Sequence, residues 1–299
     1  MSRKITFMNR LFTFGCSHTR YNWHTYADFV ALRYPIFQNW GFPGLGNRAI
    51  AERLAEAIVS QNINENDTVI VQWSSHLRND YAKTDVMNEH GNMWWTKGPV
   101  MADHNIKKYG KKWFKEFWDE KAYLIHSLNN IVLAINTLEN IGCKWLMTMG
   151  PDLSTVQTSG EDWNTGSGTI DKFPADLIHY KKYIWETYKH KWLPPIMQKK
   201  KEWPDYDMWF KYEGKDSSNT EIFEINGDRF KDHHMSPEQA YMYAEIVIEK
   251  LGLELELTET DIEIINFYLA ANKQYPGWVD FIEFILSTPW ALTQTKHGI

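Results

Sequence analysis

Apolar and polar positions alternate between two periods along the first 75 residues. RLFTFG at 10–15 is a short apolar run closed by glycine, the pattern of a buried strand. Over 22–33, Trp23, Tyr26, Ala27 and Val30 fall at helical spacing, and Pro35 stops that helix. IFQNW at 36–40 reads as a second strand, GFPGLGN at 41–47 as a loop, and Ile50, Leu54, Ala57 and Ile58 as one face of a second helix. After the turn NENDT at 64–68, the β-branched run VIVQW at 69–73 gives a third strand. Strands separated by helices imply βαβ crossovers and a mostly parallel sheet, hence an α/β fold.

Residues 77–119 break the rhythm and read as an insertion carrying one helix. It resumes with the stripe Leu124, Leu128, Ile131, Ile135 and Leu138, a stop at Gly142, and a fourth strand in CKWLMTM at 143–149. A second irregular stretch, 152–220, has the length of a lid, binding surface or subdomain; a helix over 176–200 is interrupted at Pro194-Pro195. EIFEI at 221–225 suggests a short strand. SPEQAYMYAEIVIEKLG at 236–252 is the clearest helix, with Ser236 as N-cap, Pro237 at the first position, Gln239 completing a capping box and Gly252 ending it. LELEL at 253–257 alternates, and 261–288 reads as helical. No internal repeat is visible.

Composition narrows the function. With 299 residues and 43% apolar content the chain can build a large core. The net charge of −6 argues against nucleic acid as a partner, and the runs KKYGKKW at 107–113 and QKKK at 198–201 read as solvated faces. Two cysteines, Cys16 and Cys143, make no disulfide framework. No apolar run reaches the 18 residues of a spanning helix, and Asn9 and Arg10 break up the signal-like start, so a cytoplasmic location without membrane partners is expected. The 15 tryptophans either fill the core or line a sugar-stacking groove.

Nucleophilic catalysis by serine requires a base, a group orienting that base, and donors for the developing oxyanion. Ser17, in GCSHT at 15–19, follows the first strand, where open α/β sheets form their sites. Taken alone it reads rather as an ordinary helix-capping serine. Asp232 and His234, in DHHMSPEQ at 232–239, stand just before the capped helix, with His233 as the alternative base. Gly44, in the loop after the second strand, is a candidate backbone donor, or simply a turn residue.

In order along the chain, these segments resemble the blocks of the SGNH/GDSL hydrolase superfamily. GCSHT resembles the first, with Cys16 where aspartate is usual. NWGFPGLGN at 39–47 resembles the second and puts the oxyanion glycine on Gly44. VIVQWSSHLR at 69–78 resembles the third, in the Trp-Ser-Ser…Arg form of divergent, phage-like members. DHHMSPEQ resembles the last. Two departures stand out. His76 aligns where the third block supplies an asparagine donor, which leaves Ser75, His76, Arg78 or Asn47 for that role. The family's DxxH is here DxH, Asp232 and His234.

The resemblance implies a flavodoxin-like three-layer α/β/α sandwich over 1–252, with insertions at about 77–119 and 152–220 and a helical appendage at 253–299. It implies a serine esterase without metal or cofactor: catalytic Ser17, Asp232 and His234; oxyanion groups Gly44, Asn47, Ser75 and His76; substrate contacts at Arg78, Trp94 and Trp95. The expected substrate is a small-molecule or glycan O-acyl ester, narrowed to acetyl on a carbohydrate; the cell would be a phage host, or the location a virion, if the chain is phage-encoded. Three readings compete. DHH with Asp103-His104 evokes a metal phosphoesterase, Trp94, Trp95, Trp203 and Trp209 evoke a glycan- or protein-binding module on a degenerate frame, and the same triad serves an O-acyltransferase.

Overall fold

A computed structural model describes residues 9–82, 94–99, 112, 116, 119–155, 170, 172–204, 208–211, 224–226, 229–232, 234–254, 258–275 and 278–287. Four strands, β1 (Arg10–Phe14), β2 (Ile36–Asn39), β3 (Thr68–Trp73) and β6 (Lys144–Met149), form a parallel sheet in the order β2-β1-β3-β6. Numbered within this sheet alone, that is the 2-1-3-4 start of the flavodoxin order. Its connection reverses direction at β1, and the crevice beyond the carboxyl ends of β1 and β3 is the expected place for a site.

Both faces of the sheet are covered. Phe12, Phe14, Val69, Val71 and Met147 point to one apolar cluster with Ile50 and Leu54 of α2 (Asn47–Ser60) and Leu124, Leu128 and Ile131 of α3 (Glu120–Ile141). Leu11, Ile70 and Leu146, one position out of phase, point to the other cluster with α1 (Tyr26–Ala31) and α6 (Pro237–Leu251). The strand period of two therefore produces two cores and three layers. The expected stops hold: Gly142 and Gly252 end α3 and α6 with φ of 76° and 65°, and Ser236 with Gln239 forms the capping box.

Elsewhere the structure departs from the sequence pattern. The first helix is shorter than 22–33, because Thr25 and Asp28 form a capping box that starts it at Tyr26. The first insertion contains an antiparallel hairpin, β4 (Arg78–Ala82) with β5 (Trp94–Pro99), that no alternation announced. In the second, a short helix, α4 (Ile178–Lys181), runs into a wider π turn over Lys182–Thr187, and α5 (Ile196–Glu202) follows the prolines. Ile184 and Ile196 are fully buried, and Leu193 N–H donates to Met147 O at 2.8 Å, so this part of the stretch packs against the sheet edge.

β7 (Met208–Lys211), β8 (Glu224–Asn226) and β9 (Arg229–Asp232) make a small antiparallel sheet in the order β7-β9-β8. The single expected C-terminal helix is two, α7 (Glu259–Gln274), capped at Tyr275, and α8 (Trp278–Leu286). Ile264, Tyr268, Phe281 and Ile285 join the same cluster as α1 and α6. A two-pronged ion pair from Arg33 to the buried Asp261, both contacts 2.8 Å, fastens α7 to the turn that follows α1. No helix among the described residues is long and apolar enough to cross a membrane.

Candidate active site

The chain leaves β1 through Gly15 into a tight turn, in which Thr19 N–H and Arg20 N–H both donate to Cys16 O. A Cβ on Gly15 would lie 2.1 Å from Thr19 Oγ1 and 2.7 Å from Gln72 Oε1, so only glycine fits. Gln72, fully buried in β3, holds the turn: its Oε1 accepts from Cys16 N–H at 2.9 Å and Thr19 Oγ1 at 3.3 Å. Asn39 Nδ2 donates to Thr19 O at 2.8 Å from the β2 side. Three strand ends thus fix the turn that carries Ser17.

The Asp232/His234 pair comes from the end of β9, which explains how a DxH spacing works. One carboxylate oxygen, Oδ1, accepts both the His234 backbone N–H at 2.8 Å and the His234 Nδ1–H at 2.6 Å. The other, Oδ2, accepts Tyr21 Oη–H at 2.7 Å. The Tyr21 ring lies against the His234 ring, with centroids 3.6 Å apart and planes at 23°. Burial pushes the Asp232 carboxyl up, but the His234 charge, both His234 hydrogen bonds and the Tyr21 hydroxyl outweigh it, leaving the group below its ordinary value and ionised. Burial, then the Asp232 charge and hydrogen bond, raises the Tyr21 phenol well above its usual range. Trp23 Nε1–H to Met235 O at 2.8 Å and Lys200 Nζ to His234 O at 3.3 Å hold the backbone on either side.

Ser17, His18, Tyr21, Trp23, Thr25, His234, Met235 and Ala240 line one small cavity of about 10 Å³, roughly the space one water needs. The structure therefore brings Ser17 and His234 to the same cavity, with Asp232 behind the histidine. His233 lies outside the described residues.

The other sequence candidates are placed differently. Gly44 has φ of +83° with open space where a Cβ would be, and it is not among the residues that line the Ser17 cavity. Asn47 is committed elsewhere: its Nδ2 donates to Ser74 O and Ser127 Oγ, both at 3.0 Å, and its Oδ1 accepts Ser74 N–H at 2.7 Å. Ser75 Oγ accepts Leu77 N–H at 3.2 Å. His76 turns its Nε2 to Glu120 Oε1 at 3.2 Å. Arg78 reaches back, its Nη1 donating to Leu45 O at 3.1 Å beside Gly44. Asn47, His76 and Arg78 line a second, polar cleft of about 510 Å³ together with Asp80, Tyr123 and His126. Trp94 and Trp95 of β5 stand opposite Ala82 and Tyr81 of β4, and their side chains lie outside the described residues.

The remaining tryptophans divide. Trp23, Trp40, Trp73 and Trp145 are buried in the core. Trp203 packs edge-on to Tyr243, and Trp209 lies under Lys231 Nζ at 5.8 Å. Asp103-His104 falls outside the described residues, and among the described ones no three His, Cys, Asp or Glu side chains are grouped to hold a metal.

Sequence reasoning missed four side chains: Gln72, Tyr21, His18 and Asp80. Asp80 accepts Gly46 N–H at 2.8 Å and Ala49 N–H at 2.9 Å, capping α2 from 34 positions away. Its only signal was a carboxylate beside the third-block arginine.

No protein-family model matches the chain, and no curated protein does. Among solved structures, it is similar to an arginine variant of an acetyl-xylooligosaccharide esterase from Geobacillus (13% identity, 84% of this chain and 97% of that one, TM-score 0.42). It is also similar to a member of the lipolytic protein G-D-S-L family from Veillonella parvula (10%, 80% and 96%, 0.38). A third is a lipase/acylhydrolase from Enterococcus faecalis (13%, 84% and 100%, 0.37). At such identities the chemistry of this site rests on its own geometry.

Proposed function

We propose that the chain is a serine hydrolase of the SGNH type that cleaves an O-acyl ester. The observation that carries this reading is the Asp232–His234 contact of 2.6 Å through Nδ1, on a histidine that shares its cavity with Ser17. A carboxylate holding Nδ1–H fixes the tautomer in which Nε2 is the basic nitrogen. His234 Nε2 takes the Ser17 Oγ proton as Oγ attacks the carbonyl carbon. The carbonyl oxygen becomes an anion held by the backbone N–H groups of Ser17 and Gly44. Collapse breaks the bond to the alcohol oxygen, which receives the proton from His234. A water, deprotonated by the same nitrogen, then releases the acid and restores Ser17.

A short acyl group, acetyl, is the substrate that the sequence resemblance implies, and it is part of the proposal. The alcohol portion is a small molecule or glycan, and the cycle draws on groups of the chain and water. An acyltransferase would differ only in replacing that water with a second alcohol.

Fluorophosphonate labelling and p-nitrophenyl acetate turnover test the reading in wild type, Ser17→Ala and His234→Ala. Labelling and turnover in wild type, lost in both variants, are expected. Labelling that persists in Ser17→Ala overturns the assignment. A folded wild type that neither labels nor turns over ester favours a binding role for the frame.

A further inference from the structure

We propose that the His18 imidazole donates a hydrogen bond to the oxyanion formed at Ser17, the part an asparagine plays in the third block that this chain resembles. The proposal rests on the reading of Ser17 as nucleophile. His18 follows Ser17 directly and lines the same cavity. It is only 3% exposed, and neither ring nitrogen has a hydrogen-bond partner among the described residues. Leaving such a group unsatisfied costs about 1–3 kcal/mol, and buried polar groups without partners are rare enough to require a reason. A ligand atom arriving in the cavity supplies one.

The surroundings select a negative atom. The His18 ring faces His234 with centroids 5.4 Å apart. Burial first, then the charges of His234, Lys200 and Arg78, hold the His18 imidazole well below its ordinary range. It therefore stays neutral and keeps one N–H to donate. Lys200 and Arg78, and His234 once it has taken the Ser17 proton, favour an anionic oxygen beside His18. His18 is unsuited to be the general base, because the carboxylate that fixes a tautomer, Asp232, is bonded to His234. Two of the alternative donors are committed elsewhere: Asn47 clamps Ser74 and Ser127, and His76 turns Nε2 to Glu120.

The test uses His18→Phe, which keeps a ring and removes the donor, and His18→Asn, which restores an N–H. With p-nitrophenyl acetate, His18→Phe is expected to lower kcat about 100-fold, the loss typical of one oxyanion donor. KM should stay close to wild type, and His18→Asn should recover a large part of kcat. Unchanged kcat in a folded His18→Phe, or a loss wholly in KM, overturns the proposal. A second readout needs no variant at His18. In 15N-labelled wild type, an aged phosphonate adduct on Ser17, dealkylated to its monoanion, places a tetrahedral anion in the cavity, and a His18 ring N–H should shift downfield and become protected from exchange. An adduct that leaves the His18 ring signals unmoved also overturns it. Failure of wild type to label at Ser17 instead overturns the nucleophile reading, so the two failures are distinguishable.

Discussion

Replacing Tyr21 with phenylalanine isolates one atom of the site. The ring stacked on His234 at 3.6 Å is kept, and the 2.7 Å hydrogen bond from the hydroxyl to Asp232 Oδ2 is lost. Because that acceptor is an ionised carboxylate with no exposed surface, the bond belongs to the stronger class, about 1.5–3 kcal/mol. A loss of about 2 kcal/mol lowers the melting temperature by roughly 3 °C in a chain of 299 residues. The acid limb should move with it. Asp232 has a folded pKa below its unfolded value, so its stabilisation is complete above the unfolded pKa of about 3.9 and is lost as pH falls through the folded value. Without the phenol donor the folded value rises toward the unfolded one, and the stabilisation shrinks.

Activity should respond more weakly than stability. Nδ1–H still finds Oδ1, so kcat falls about tenfold, with KM unchanged, against the roughly 10⁴-fold expected for Asp232→Asn, where the tautomer itself is disturbed. Thermal unfolding by circular dichroism between pH 3 and 7, together with ester turnover, reads both effects. An unchanged melting temperature and acid limb would refute the claim that Tyr21 holds the carboxylate, and a loss confined to KM would refute its positioning role.

Arg33→Ala leaves Asp261 buried without its two-pronged partner and should cost about 3–5 kcal/mol; denaturant unfolding checks it, and Asp261→Asn in the Arg33→Ala background should recover part of the loss. Gly15→Ala forces a Cβ to within 2.1 Å of Thr19 Oγ1, so ester turnover and fluorophosphonate labelling should fall together, while a structurally silent alanine would show normal labelling. Stability should also fall on acidification below about pH 6.5. His18 and His24 are held neutral in the fold, His24 down to about 3 by burial, so the unfolded state takes up two more protons. Each of these protons contributes about 1.4 kcal/mol per pH unit. Asp28, raised to about 6 mainly by burial, runs the other way: the folded state binds its proton first, offsetting one histidine between about pH 6 and 4. A pH titration of unfolding free energy should therefore be nearly flat above about pH 7 and settle to a slope of one net proton, about 1.4 kcal/mol per pH unit rather than twice that, between about pH 6 and 4.

The elements that the sequence determined by itself are those whose causes are local. The apolar alternation of β1 and β3, the stripe of α3, the capping box at Ser236 and the glycine stops at 142 and 252 all depend on neighbours within one or two turns. The same local signals put Ser17 after β1, Gly44 in the loop after β2 and His234 just before α6, but not the strand β9 that ends in Asp232. Tertiary structure alone decided what each polar side chain does, since its partner is distant in the chain. Tyr21 meets Asp232 across 211 positions and Gln72 meets Cys16 across 56. The hairpin β4/β5 exists because two segments pair, although neither alternates. Asn47 and His76 looked like donors for an oxyanion until Ser74, Ser127 and Glu120 claimed them. Local pattern places a residue, but a buried hydrogen-bonding group is committed by whichever partner the fold brings within 3 Å.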